Sequence, residues 1–62
     1  MLIQSPNGTR QMQVGNDSCM WFRTRVDGRW NQWTQHYNRY NGLMEFNEAL
    51  HFLGWKEIKP VI

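Results

Sequence analysis

The strongest constraint in the chain is the pair Asp27-Gly28. It lies between two runs rich in aromatic and β-branched residues, Met20-Trp21-Phe22-Arg23-Thr24-Arg25-Val26 and Arg29-Trp30-Asn31-Gln32-Trp33-Thr34. Asp-Gly favours the left-handed backbone that a two-residue hairpin turn requires, so the stretch reads as a β-hairpin. Side chains alternate between the faces of a strand. Met20, Phe22, Thr24 and Val26 therefore share one face with the character of a core, and Trp21, Arg23 and Arg25 share the other, basic and aromatic. Trp30 and Trp33 stand three apart and are expected on opposite faces. With a two-residue loop, Arg25 pairs with Trp30, Arg23 with Gln32, Trp21 with Thr34 and Phe22 with Trp33, which puts Trp30 on the Arg face. A three-residue loop with a left-handed Gly28 sets Trp33 beside Trp21 instead.

A hairpin alone is marginal in water, so the rest of the chain must cover its apolar face. Upstream, Leu2-Ile3 and Arg10 to Val14 flank Ser5-Pro6-Asn7-Gly8, whose Pro and Asn-Gly chemistry predicts a first turn, with Met12 and Val14 facing the core. Gly15-Asn16-Asp17-Ser18 is a second turn. Asn7-Gly8-Thr9 and Asn16-Asp17-Ser18 match the glycosylation pattern but are read as turns. Downstream, Leu43, Phe46, Leu50 and Leu53 recur at helical spacing, with Ala49 close to the same stripe. This predicts a helix of about 11 residues, capped by Asn41 or Gly42 and ended by a left-handed Gly54. Glu45 and Glu48 then fall in its first two turns, where the helix dipole favours carboxylates. Trp55 to Lys59 reads as a last short strand, with Pro60 marking an edge or a tail. The expected fold is a single α+β domain over residues 1–62: a small antiparallel sheet of three to four strands, one short helix packed on one face, and a short C-terminal strand. Met20, Phe22, Val26, Leu43, Phe46, Leu50, Leu53 and Ile58 are the expected core.

At 62 residues such a domain buries only about 60% of the surface its unfolded chain exposes. The single Cys19 excludes an internal disulfide, so four Trp, three Phe and two Tyr must supply much of the packing. The formal charge is only +2, but Arg23, Arg25, Arg29 and Arg39 face Asp27 alone between Met20 and Tyr40, a local excess of four minus one. No apolar run approaches the ~20 residues of a membrane helix and no signal peptide is visible, so a cytoplasmic location is expected.

Three constellations could carry chemistry, and two are better explained by structure. Cys19, His36 and His51 lack the C-x-x-C or H-x-x-x-H spacing of a metal or nucleophile site, and read as a buried thiol and two ordinary imidazoles. Glu45 and Glu48 share a helix face with nothing to raise the pKa of either, so the dipole accounts for them. The glycines form neither a G-x-G-x-x-G nor a P-loop pattern. No enzyme activity, cofactor or metal is expected. The third constellation is the Arg/Trp face. Its readings are a purely structural stack of guanidinium on indole, a protein interface, and a nucleic-acid surface on which Arg meets phosphate and rings stack on bases.

The Trp21–Trp33 hairpin, followed by Glu45-Phe46-Asn47-Glu48-Ala49-Leu50-His51-Phe52-Leu53-Gly54-Trp55 and a final strand, resembles in architecture the small accessory proteins that bacteriophages make to inhibit host machinery. That resemblance implies a non-enzymatic inhibitor or adaptor of the host-takeover or anti-defence type, which occupies a protein surface. The commonest members are strongly acidic DNA mimics, whereas this chain is mildly basic. A second resemblance, to the plant transcription factors that read DNA with a three-stranded sheet, implies base contacts through Trp21, Arg23, Arg25 and Trp30; the helix here is shorter and that family's motifs are absent. The resulting expectation is a binding module acting on a macromolecular partner, protein before nucleic acid, through Trp21, Arg23, Arg25, Arg29, Trp30 and Gln32, with Tyr37, Arg39 and Tyr40 extending the patch. A homodimer through the edge strand Trp55 to Lys59 is a further alternative.

Overall fold

Two left-handed residues in succession, Asp27 at φ 52° and Gly28 at φ 77°, give the central hairpin the type I′ turn that Asp-Gly predicts, in a computed structural model that describes residues 1–59. The elements are β1 (Leu2–Gln4), β2 (Arg10–Val14), β3 (Met20–Val26), β4 (Arg29–Trp30), β5 (Thr34–Gln35), α1 (Arg39–His51) and β6 (Lys56–Glu57). The fold is α+β, with six short strands in place of the expected three to four. They form one antiparallel sheet in the order β4-β3-β2-β1-β6, and β5 also pairs with β3. β2 occupies one edge of β3 along its length, so β4 and β5 lie end to end on the other edge. The last strand covers two residues beside β1, shorter than Trp55 to Lys59, and Pro60 lies outside the described residues. Among those residues, no helix is long and apolar enough to cross a membrane.

Register divides the sheet into two faces. Ile3 opposes Met12, Met12 opposes Phe22, and Val14 opposes Met20, so these side chains point together toward α1. With Phe46, Ala49 and Trp55 they make the core, and Val14, Phe22 and Leu50 pack at its margin. Burying each large apolar side chain stabilises by about 1.5–3 kcal/mol. Three expected core residues are instead exposed. Val26 sits at the hairpin tip, beyond the reach of α1; Leu53 follows the helix C-cap Phe52 and so leaves the helical stripe; Ile58 follows Lys56 onto the uncovered face. Leu43 is half-buried. Met12 faces the core as expected, Ile3 and Trp55 take the places of the exposed three, and Cys19 is buried too.

The helix begins four residues earlier than Leu43. Asn38, in an extended conformation, accepts a hydrogen bond from the Asn41 amide through its side-chain oxygen at 2.9 Å and is the N-cap, in place of Asn41 or Gly42. Glu45 and Glu48 therefore lie beyond the first turn, which holds no acid, and the dipole does not account for them. At the other end the Phe52 and Leu53 amides both donate to the Glu48 carbonyl, and the Trp55 amide donates to that of Ala49. Gly54, left-handed at φ 77° as expected, turns the chain back so that Trp55 enters the core and Lys56 reaches β1.

Gly42 is where helix and sheet meet most closely. A β-carbon there would lie 3.0 Å from the β-carbons of both His36 and Met20, and neither of those atoms is the free end of a side chain. Crowding of this kind costs about 1–3 kcal/mol, against the gain of about 1 kcal/mol from replacing a helical glycine by alanine. Gly42→Ala is expected to lower stability by about 1 kcal/mol net, read as a lower urea midpoint at unchanged slope.

Candidate functional site

The face of the sheet turned away from α1 carries Gln4 on β1, Gln11 and Gln13 on β2, Trp21, Arg23 and Arg25 on β3, Trp30 on β4, Gln35 on β5 and Lys56 on β6. Its strand residues include three cations and no carboxylate. The side chains that would serve a solvated sheet face as independent polar groups are here joined into one row. Gln11 Nε2 donates to Gln4 Oε1 at 2.7 Å, and Arg23 Nε donates to Gln11 Oε1 at 2.7 Å, the short length typical of a charge-assisted bond. Gln11 is only 6% exposed, yet both ends of its amide are satisfied within the row.

Arg23 is the centre of the row because its guanidinium lies between two indoles. Its Cζ is 4.9 Å from the Trp30 ring centroid and 4.5 Å from that of Trp33, and Arg25 approaches Trp30 from the next position at 6.0 Å. The order Trp33, Arg23, Trp30, Arg25 is an alternating stack of ring and cation, each contact contributing about 0.5–1 kcal/mol where solvent reaches it. Two residues three apart on a regular strand cannot both do this. The expectation that Trp30 and Trp33 face oppositely is overturned by a bulge between β4 and β5. Arg25 pairs with Trp30 as a two-residue loop demands, but farther along Phe22 pairs with Thr34 and Trp21 with Gln35, one residue later than the regular register that set them against Trp33 and Thr34.

Asn31 makes the bulge tolerable. Its amide donates to the Thr24 carbonyl at 3.0 Å, while its side-chain Oδ1 accepts from the Thr24 amide at 2.8 Å. A side chain thus takes the place of the backbone carbonyl in the ladder, and the Thr24 amide stays paired across the bulge. Arg23, Arg25 and Trp30 come together as expected. Arg29 opposes Val26 and so belongs by register to the helix-side face, and Gln32 is exposed in the bulged segment. Trp21 shares the open face but is tied to the preceding turn, its indole N–H donating to Asp17 Oδ2 at 3.0 Å.

Tyr37, Arg39 and Tyr40 lie with the helix layer, on the other side of the sheet from Arg23. Tyr37 stacks on His36 with centroids 4.7 Å apart, and Arg39 and Tyr40 open α1. His36 Nε2 is 3.1 Å from Glu45 Oε2, and its Nδ1 accepts from the Asn38 amide, so the ring braces the start of the helix. Cys19, His36 and His51 do not converge: among the described residues no three His, Cys, Asp or Glu side chains are grouped to hold a metal ion. Sequence reasoning missed Gln4 and Gln11 in the row and Asn31 at the bulge, and offered Trp33 only as the alternative to Trp30, whereas both face Arg23. The signal available for the first two was a glutamine at matched positions of paired strands; for Asn31 it was a turn-forming amide inside a strand. Compared with protein-family models, with curated proteins and with solved structures, the chain matches none.

Two outcomes follow from these contacts. Asn31→Ala strands the Thr24 amide and is expected to cost about 1 kcal/mol and to release Trp33 from Arg23, seen as loss of near-ultraviolet circular dichroism from the indoles, whereas Asn31→Asp keeps an acceptor and most of that signal. The bonds from the Trp21 indole and then the Cys19 amide, with the charge of Arg39, hold the Asp17 carboxyl below its ordinary 3.8. Their stabilisation is present above that ordinary value and is lost as the pH falls through the lowered one. Asp17→Asn should therefore be less stable than wild type at neutral pH, and the gap between their urea midpoints should close as the pH falls below the ordinary carboxylate value of 3.8.

Proposed function

We propose that this protein is a non-enzymatic binding module that docks on an acidic surface of a protein partner through the row Trp33-Arg23-Trp30-Arg25. In this reading it acts as an inhibitor or adaptor, the role implied by its architectural resemblance to phage-encoded accessory proteins. The single observation that carries the reading is the state of Arg23. Its guanidinium is clamped between two rings and its Nε is tied to Gln11, while its two terminal nitrogens make no hydrogen bond among the described residues. An arginine held in this way loses little side-chain entropy on meeting a carboxylate and presents a fork that matches it. Indole and guanidinium are also the groups that dominate binding energy at protein interfaces.

The same stack disfavours the nucleic-acid reading. A single strand is gripped by stacking bases on open aromatic faces, and Trp30 has Arg23 and Arg25 over it. Duplex binding draws on many cations spread over one face, and this face offers Arg23, Arg25 and Lys56.

Immobilised protein exposed to a cell lysate with and without nuclease tests the reading, with Arg25→Glu alongside. Arg25 is exposed and outside the core, so its substitution is expected to leave the fold intact. A discrete protein bound in both samples and reduced at least about tenfold by the variant is the expected result, since reversing one interface charge is worth about 1.4 kcal/mol or more. Equal capture by wild type and variant would overturn the assignment of this face. Binding that disappears with nuclease would replace it with a nucleic-acid function.

A further inference from the structure

A cavity of about 280 Å³ opens at the opposite end of the row, lined by Gln4, Ser5, Pro6, Gly54, Lys56 and Ile58. Gln4 and Lys56 oppose each other across β1 and β6 on the uncovered face, so the cavity and the Arg/Trp stack belong to one surface. Gln4 is also the terminal member of the hydrogen-bonded row that begins at Arg23. The cavity is smaller than the roughly 300–1,000 Å³ of small-molecule sites, a size suited to one side chain. Pro6 and Ile58 give it apolar walls, and Ile58 is 40% exposed there. Lys56, at its rim, forms no ion pair among the described residues.

We propose that the partner segment is an extended acidic peptide lying across the strands, with a carboxylate on Arg23 and an apolar side chain in the Pro6–Ile58 cavity. The inference rests on the binding reading above and deepens it by naming the ligand. Charge complementarity selects the occupant, because the strand residues of this face are cationic or neutral and none is acidic. Geometry sets its spacing. From β3 to β6 there are three strand intervals of about 4.8 Å, roughly 14 Å in all, which an extended chain rising about 3.3 Å per residue spans in about four residues. The ligand is therefore an acidic residue followed about four positions later by a large apolar one, with Lys56 facing a second carboxylate or a backbone carbonyl near the apolar end.

The test uses the full chain labelled for nuclear magnetic resonance and the blocked peptide Asp-Glu-Gly-Ser-Gly-Leu. Controls are the peptide with the Leu replaced by Ser, the peptide with Leu directly after Glu, and a single-stranded thymidine oligonucleotide. Expected are shifts of the Trp30 and Trp33 indole N–H together with the Gly54 and Ile58 amides, on one binding isotherm, about tenfold tighter than for either control peptide. Ile58→Ser should remove the tenfold advantage while the indole shifts persist. Indole shifts without response at Gly54 and Ile58, or equal affinity for all three peptides, would overturn the cavity's role and leave the binding reading standing. No response to any peptide at the indoles would overturn both, as would a response to the oligonucleotide alone.

Discussion

A single hydrogen bond, from the Thr24 amide to the side-chain oxygen of Asn31, decides which residues share the exposed face of this sheet. Without it, β4 would continue into β5 in regular register and Trp33 would turn toward the core side, leaving Arg23 with Trp30 alone. The bond lets the strand take up one extra residue, so both indoles close on the same guanidinium. Everything farther along the row then follows. Arg23, beside both indoles, directs its Nε at Gln11, and Gln11 in turn holds Gln4. A local exchange of one acceptor for another is transmitted across three strands as a fixed arrangement of side chains.

That arrangement also answers the problem of size. The core proper rests on Ile3, Met12, Met20, Phe46, Ala49 and Trp55 between one sheet face and one helix, with Gly42 allowing the helix its close approach to Met20. A second layer of elements on the far face would need a longer chain. Here stacked rings and cations, backed by two glutamines, cover part of that face with side chains alone. His36 performs a similar office at the helix start, where its ring lies edge-on to Phe22 and beside Glu45.

Local chemistry was legible where it acts alone. Asp27-Gly28 specifies a type I′ turn because only residues that tolerate positive φ can occupy it, and the turn carries Arg25 opposite Trp30 with it. The pairing of β1 with β2 and the helical stripe of Phe46, Ala49 and Leu50 follow from turn residues and periodicity in the same way. What was not legible depends on competition between distant groups. Asn38 and Asn41 are both competent caps, and the choice of Asn38 turns on His36, whose ring accepts the Asn38 amide and packs against Gly42. Leu53 keeps the helical spacing, but the chain has already left the helix at Phe52. Of the candidate site, the Arg and Trp content and the face of β3 were readable; that Trp33 joins Trp30 on that face, rather than replacing it, was hidden by a bulge that no periodicity reveals.

The uneven placement of charge has a kinetic consequence. Arg23, Arg25 and Lys56 stand together on one side of the sheet against Asp17 at the Trp21 indole, whereas on the other Arg10, Arg29 and Arg39 are offset by Glu45, Glu48 and Glu57. The molecule therefore has a positive front and a nearly neutral back, and its field extends about a Debye length, some 8 Å at physiological ionic strength. An acidic body approaching from any direction is turned toward the front before contact, which raises the fraction of collisions that are productive. Added salt would weaken this orientation, because the field of these cations is screened within the shortened Debye length.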